Sequence, residues 1–403
     1  MLSEQSIPVI RATLPVVGAA LDDITELFYR GLFEAHPELL RDLFNRGNQA
    51  TGEQPRALAG SIAAFAGMLL EHPGTRPDAM LARIAHKHAS LGVTSDQYKT
   101  VHRHLFAAIA GVLGDAVTPE VATAWDEVYW LMANALIAVE ARLYQEAGVP
   151  EGEVWQRMEI TGRHEETPDA VSLTLRRADG RPVAPARAGQ YVGVQVLLPD
   201  GARQIRQYSL SAAVPAHRPD RAQWRITVKR VPGGPGPEGE VSSWLHAHAR
   251  TGDVLTVSVP FGDLVLPDGD GPLLLASAGI GGTPMLAMLD HLATTAPARP
   301  VTVVHADRAP ADHAHRDEQR RLVEALPHAE LHLWYEDPGT DRRATRGRVD
   351  LTGLELPEGL HAYLCGPLPF MRALRGDLLR RGVPARAVHY EVFGPDLWLG
   401  GQG

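Results

Sequence analysis

The chain has 403 residues, enough for roughly two to three domains. Charged residues make up 22% and hydrophobic residues 44%, and 39 Lys+Arg stand against 48 Asp+Glu for a net charge of -9, which excludes a disordered chain and a polyanion-binding field: small molecules, not nucleic acid, are the expected partners. The single cysteine, Cys365, excludes an intrachain disulfide framework, a zinc ribbon and a thiolate-held iron–sulfur cluster, so a metal would have to be held by histidine.

Met1-Leu2-Ser3-Glu4-Gln5 lacks the basic start and apolar run of a signal peptide, and no run of about 20 apolar residues follows, so a cytoplasmic chain without a membrane span is expected. From Ser6 to about Ala147 apolar residues recur every three or four positions, which predicts an all-α unit over residues 1–147. Within it Leu81, Ile84, Ala85 and His88 fall in one sector at about 100° per residue, while His86 points to the opposite side. Tyr98, Val101, His102 and Leu105 share a second sector, so periodicity leaves two inward histidines, His88 and His102, among the six of this unit. The last helix is predicted to start at Thr118-Pro119, a hydroxyl cap before a proline, and to end at Ala147-Gly148. Its expected buried stripe is Val121, Trp125, Val128, Met132, Ala135 and Val139.

Gly148-Val149-Pro150-Glu151-Gly152 breaks the helical pattern, and alternating segments such as 191–196, 224–229 and 257–262 predict an antiparallel β-barrel or sandwich over residues 153–266. In Arg206-Gln207-Tyr208-Ser209-Leu210-Ser211 the alternation puts Arg206 and Tyr208 on one face and Ser209 on the other, a group suited to an anionic, planar ligand. From Pro272 an apolar strand (Leu273-Leu274-Leu275-Ala276), a glycine-rich turn, a helical stretch and a second apolar strand (Val301-Thr302-Val303-Val304) follow one another. That is the grammar of a parallel sheet, so residues 270–403 are expected to form an α/β nucleotide-binding unit. Its turn, Gly279-Ile280-Gly281-Gly282-Thr283-Pro284, stands where a phosphate meets helix N-terminal amides, with Thr283 expected to cap the helix and Pro284 to open it. The closing Gly400-Gly401-Gln402-Gly403 is expected to fray.

Residues 153–396 resemble the ferredoxin-NADP reductase superfamily. The resemblance rests on Arg206 to Ser209, Gly189-Gln190-Tyr191, Gly239-Glu240-Val241-Ser242-Ser243-Trp244-Leu245, Cys365-Gly366-Pro367 and Glu391-Val392-Phe393-Gly394-Pro395. It implies FAD, with Arg206 at the pyrophosphate, Gln207 beside it, Tyr208 and Ser209 at the isoalloxazine, Tyr191 a further contact on the adenine-ribose side, and Ser242 at the start of a pyrophosphate-facing helix. It also implies NADH or NADPH, held by Gly279, Ile280, Gly281, Gly282, Thr283 and Pro284, with Cys365, Gly366 and Pro367 facing the nicotinamide. Glu391, Val392, Phe393, Gly394 and Pro395 would lie against the flavin, Phe393 stacked on its ring and Glu391 tuning its potential.

With the N-terminal unit, nearly the whole chain resembles the bacterial flavohaemoglobins, through Phe28-Tyr29, Phe33, His36-Pro37-Glu38-Leu39, Phe44-Asn45, Gln54-Pro55-Arg56-Ala57-Leu58 and Ile84-Ala85-His86-Lys87-His88. The resemblance implies a globin fold and haem b with one iron: His88 as axial ligand, Lys87 beside it at the cofactor, Tyr29 as distal hydrogen-bond donor, Gln54 and Leu58 as a lid, Phe44 wedging the porphyrin, and Tyr98 and Glu140 hydrogen-bonded toward the axial histidine. The implied activity is nitric oxide dioxygenation by a monomer: nitric oxide and dioxygen become nitrate, and electrons pass from NAD(P)H through FAD to haem. A haem-based oxygen or nitric oxide sensor or carrier, and a flavin reductase for an external acceptor, are the alternatives. Haem content and NADH oxidation stimulated by nitric oxide separate them. Three positions depart from the usual pattern: Val392 stands where cysteine is common, Gly282 where glutamine is, and His86 where glutamine is. Arg308 and Arg316 could meet a 2′-phosphate and Asp307 and Glu336 a hydroxyl, which leaves the choice between NADH and NADPH open.

Overall fold

The computed structural model describes residues 1–74, 78–214, 223–233 and 237–395; the glycine-rich end at 400–403 lies outside them. Among these, eight helices form the first unit: α1 (Ser6–Ala19), α2 (Leu21–Ala35), α3 (Pro37–Asp42), α4 (Arg46–Ala50), α5 (Glu53–Glu71), α6 (Asp78–Leu91), α7 (Ser95–Leu113) and α8 (Pro119–Glu146). Helix α8 starts as its sequence dictates, with the Thr118 side chain accepting from the Val121 amide and Pro119 at the first position, where no amide hydrogen is needed. Its buried line differs from the expected stripe. Trp125 and Val128 are buried, but further on the line passes to Ala133, Leu136, Glu140 and Leu143, leaving Met132, Ala135 and Val139 half-buried. The expected stripe repeats every seven residues, whereas a straight helix drifts about 20° per heptad, so over two heptads such a stripe turns about 40° away from a fixed inward face and the buried line passes to neighbouring positions.

The barrel follows with β1 (Trp155–Thr167), β2 (Ala170–Arg177), β3 (Tyr191–Leu197), β4 (Arg203–Ser209), β5 (Trp224–Lys229), α9 (Glu240–His248) and β6 (Val254–Ser258). The strand order is β4-β3-β6-β1-β2-β5 with antiparallel neighbours. A bridge between Leu210 and Ile226, together with the Ser211 amide donating to the Arg225 carbonyl at 2.8 Å, joins the two edges into a barrel.

The third unit contains β7 (Leu273–Ala278), α10 (Gly282–Thr295), β8 (Val301–Asp307), α11 (Arg316–Glu324), β9 (Ala329–Tyr335), β10 (Ala344–Arg346), β11 (His361–Cys365), α12 (Leu368–Arg380) and β12 (Val388–Glu391). Its sheet is parallel, in the order β10-β9-β8-β7-β11-β12, so the strand order reverses at β7 and the glycine-rich turn leaves the sheet at the switch point. Thr283 is not the cap of α10. A single 3₁₀ turn at Gly279–Gly281 runs directly into the helix at Gly282, and the Thr283 hydroxyl turns back to donate to the Ile280 carbonyl at 3.0 Å. Pro284 fits in the first turn, where amide hydrogens have no partner in the helix.

Apolar packing joins the first two units, because Val154, Tyr191, Val259 and Phe261 of the barrel belong to the same core as the helices. Polar contacts fix the register of that junction. The buried Gln204 side chain on β4 donates to the carbonyls of Leu40, Arg41 and Phe44 at 3.3, 3.0 and 3.2 Å, and Arg46 pairs with Asp200 at 2.6 Å and Glu240 at 2.7 Å. On α6, His86 Nδ1 accepts from the Gly262 amide at 2.9 Å, and Arg83 lies 3.9 Å over the Tyr390 ring. Lys87 reaches the chain's last described segment, donating to the carbonyls of Val392 and Gly394.

Candidate functional site

A single cavity of about 990 Å³ runs from between the helices into the barrel and ends at the α/β unit. Phe28, Leu32, Ile62, Val101, Leu105 and Leu136 give its helical end an apolar wall. His88, on the face of α6 opposite His86, lines it. Glu140 Oε1 lies 2.8 Å from His88 Nδ1 and accepts from the Tyr98 hydroxyl at 2.6 Å; that hydroxyl lies 2.9 Å from Nδ1. The shared carboxylate, itself 2% exposed, therefore takes the Nδ1 proton and leaves Nε2 as a lone-pair donor, the tautomer a metal needs. His102, the other inward histidine by periodicity, does not line the cavity. Its Nε2 lies 2.7 Å from Asp126 and its ring stacks between Phe106 and Trp130.

Opposite His88, Tyr29 sits in an aromatic nest with Phe28, Phe33 and Phe44 at ring distances of 4.7, 5.6 and 5.8 Å. Burial pushes its hydroxyl well above the usual tyrosine range, and the side chains of Gln54 and Gln49 oppose that shift. A neutral O–H is thus held at the distal wall, and Gln54, Leu58 and Phe44 line the same space. This apolar slot, with one imidazole nitrogen on one side and one hydroxyl on the other, fits a porphyrin and its iron.

At the barrel end the cavity is lined by Arg206, Gln207, Tyr208 and Ser209 of β4, by Tyr191, by Arg230 and Val231, and by Ser242 at the start of α9. Arg206 donates to the Ile205 carbonyl at 2.7 Å, and Glu240 is 4.0 Å away. Burial, which disfavours its charge, leaves Arg206 ready for an anion. The buried Ser209 Oγ has no protein partner, as expected of a group awaiting a ligand. Ser242 Oγ accepts from the Val231 amide at 3.2 Å and donates to the Gly239 carbonyl at 3.1 Å, tying the start of α9 to the wall; a β-carbon on Gly239 would come within 2.5 Å of that oxygen. An arginine, an unpartnered hydroxyl and a flat aromatic wall fit a flavin dinucleotide. Tyr191 lies opposite Ser209 in the antiparallel register, three pairs away from Arg206, and packs into the helical core.

Ile280 and Thr283 close the third side with Glu391, Val392, Phe393, Gly394 and Pro395. Phe393 is 48% exposed and faces the cavity. Glu391 is fully enclosed; burial pushes its carboxyl up to about 7 while Lys87 pulls it down, and its Oε2 has no partner. Gly281 packs so closely on the next strand that a β-carbon would lie 2.3 Å from the Cys365 carbonyl. The Cys365 thiol itself is fully buried in the α/β core and does not line the cavity; its backbone, with Gly366 and Pro367, supports the turn. Gly282 faces His305, where a β-carbon would meet only an ordinary contact at 3.4 Å. Arg308 and Arg316 are engaged by Asp312 at 2.8 Å and Asp341 at 2.7 Å, Asp307 Oδ2 is buried without a partner, and Glu336 is exposed. Sequence reasoning missed Arg46, Gln204 and Gln49, which sit in or against the short α4 region, where no periodicity marks a side chain's direction.

The globin family model matches residues 26–136 and the oxidoreductase NAD-binding domain model residues 275–376. The chain is similar to a flavohemoprotein of Rhizobium meliloti, 39% identical over 99% of this chain and 100% of that protein, and to one of Chromobacterium violaceum, 39% identical over 98% of each. Among solved structures it is similar to a flavohemoglobin from Malassezia yamatoensis with bound FAD and heme (TM-score 0.87, 38% identity, 98% of this chain and 100% of that one). It is also similar to the FAD/NAD binding domain of a nitric oxide dioxygenase from Vibrio cholerae (TM-score 0.56, 34% identity, 60% of this chain and 100% of that one).

Proposed function

The chain belongs to the flavohemoprotein family, and from that premise we propose that it acts as an NAD(P)H-dependent nitric oxide dioxygenase, forming nitrate from nitric oxide and dioxygen. The observation that carries this reading is the shared cavity: His88 and Tyr29 line it together with Arg206, Ser209, Glu391 and Phe393. Haem supplies the oxygen chemistry, flavin converts a two-electron donor into one-electron deliveries, and the dinucleotide supplies the hydride. His88 Nε2 would hold the iron, and the Tyr98–Glu140 pair orients the ring and raises its donor strength. Tyr29 holds its hydroxyl proton at the distal wall, and Gln54 and Leu58 limit water entry. Arg206 and the start of α9 would take the flavin pyrophosphate, and Ser209 would meet the ring. The turn at Gly279–Gly281 and the first amides of α10 would take the dinucleotide, and the Phe393 ring would lie against the flavin.

Three working units, 1–147, 153–266 and 270–403, correspond to these three steps. On this reading the chain acts as a monomer on small molecules, in the cytoplasm, the compartment where NAD(P)H is supplied. No helix among the described residues is long and apolar enough to cross a membrane. The test is nitric oxide consumption by purified protein with NADH or NADPH, with and without oxygen. Near-stoichiometric nitrate only with oxygen and a reduced dinucleotide is expected. Oxygen-independent consumption, or none, refutes the reading.

A further inference from the structure

Between the barrel and the α/β unit lies a buried group that the steps above do not use. His315 precedes α11, is 8% exposed, and is the only non-glycine residue with positive φ (59°) among those described. A side chain with a β-carbon is held in this left-handed region only when its surroundings over-determine it. The surroundings here are three hydrogen-bond partners and a second carboxylate. His315 Nδ1 lies 3.1 Å from Glu318 Oε2 and 3.3 Å from Glu166 Oε1, and Nε2 lies 2.8 Å from Thr227 Oγ1 and 3.3 Å from Ser172 Oγ.

Nδ1, facing two carboxylates, donates, while Nε2 meets two hydroxyls that are bonded to each other at 3.0 Å. Ser172 in turn donates to Glu166 at 2.6 Å, and Arg225 lies 2.9 Å from Glu318. Burial alone would raise the Glu318 carboxyl, but hydrogen bonds from His315 and Arg225 pull it down to about 2.

The location is what gives this clamp a task. Glu166, Ser172 and Thr227 belong to the barrel that carries the flavin residues, and Glu318 to α11 of the α/β unit. Thr227 also lines the main cavity, and His315 with Gly279, Ile280, Thr283 and Gln319 lines a small pocket behind the dinucleotide turn. We propose that His315 is a positioning residue for hydride transfer: its ring, bonded to the barrel on one side and to α11 on the other, pins the dinucleotide turn against the flavin wall in the register at which the nicotinamide meets the flavin. The step moves one hydride, with both electrons of a C–H bond, from the dinucleotide to the flavin. The inference rests on the flavin and dinucleotide assignments above.

The test uses full-length protein with haem and FAD, in the variants His315→Leu, which removes both ring nitrogens, and His315→Asn, which tolerates the left-handed conformation and keeps an N–H. In rapid mixing with NADH, His315→Leu is expected to lower the limiting rate of flavin reduction about tenfold or more, with half-saturation changing far less, and to weaken the long-wavelength charge-transfer absorbance of the flavin–nicotinamide complex. His315→Asn is expected to recover part of both. A leucine variant with the wild-type rate and absorbance overturns the proposal. Should that variant not fold, Glu318→Gln carries the same test, with a smaller loss in the same direction expected and an unchanged rate and absorbance overturning it. Wild-type flavin that NADH does not reduce refutes the reductase assignment itself, a result distinct from any effect at His315.

Discussion

His88 and His102 lie fourteen residues apart, both on inward helical faces, and what separates them is what their nitrogens already hold. His102 spends Nε2 on Asp126, whereas His88 spends Nδ1 on Glu140 and keeps Nε2 for the cavity. His88→Ala is expected to abolish haem uptake and His102→Ala to retain it, read as the Soret absorbance of haem-replete preparations; the reverse pattern would move the ligand to α7. Glu391 shows the opposite situation, a carboxyl whose burial favours its neutral form. Its folded-state pKa of about 7 exceeds the ordinary carboxylate value, so its contribution to stability is complete in acid and is lost as pH rises through about 7. Relative to Glu391→Gln, the flavin-free wild type should lose stability between about pH 4.5 and 8, by on the order of 3 kcal/mol at most. A melting-temperature difference that stays constant over that range would contradict this assignment. Periodicity could place His88 near the interior and the resemblance could place Glu140 toward it, but neither gives the 2.8 Å between them, because that distance joins two helices whose crossing no local pattern records.

At the level of elements, the sequence marks most clearly what repeats. Helices α6 to α8, the alternating strands and the βαβ succession were legible because 3.6- and 2-residue periods are local properties. Other features were not. The drift of α8's buried line is a slow mismatch between a heptad pattern and a straight helix, and the start of α10 at Gly282 follows from a 3₁₀ turn that glycines permit without signalling it. The pairing of Tyr191 with Ser209 was hidden because strand register depends on the partner strand. The docking of α3 and α4 on β4 was equally hidden, since it rests on one buried amide, Gln204, meeting three carbonyls. Gln204→Leu strands those carbonyls at a cost of about 1–3 kcal/mol. Flavin content and its reduction by NADH should stay near normal while haem reduction slows severalfold, measured by rapid-mixing absorbance; equal slowing of both steps would show that this contact does not serve the junction.

For the whole molecule, three units with different folds share one cavity, each lining a part of it. The order helix unit, barrel, α/β unit was readable from the changes of grammar near residues 150 and 270, whereas their mutual placement rests on contacts between distant positions. One turn of α6 concentrates that dependence. His86 meets the barrel at Gly262, Lys87 meets the closing segment at Val392 and Gly394, and His88 meets the cavity. Three consecutive side chains thus address three different parts of the protein, and a rotation of the helix that improves one contact spoils the other two. For anyone recombining such modules, or for a lineage exchanging them by gene fusion, this sets where a seam can lie. The turn around residues 86–88 and the segment around 390–395 form one inheritance unit, although some three hundred residues separate them in the chain, and a chimera that exchanges one without the other should assemble with its centres out of alignment.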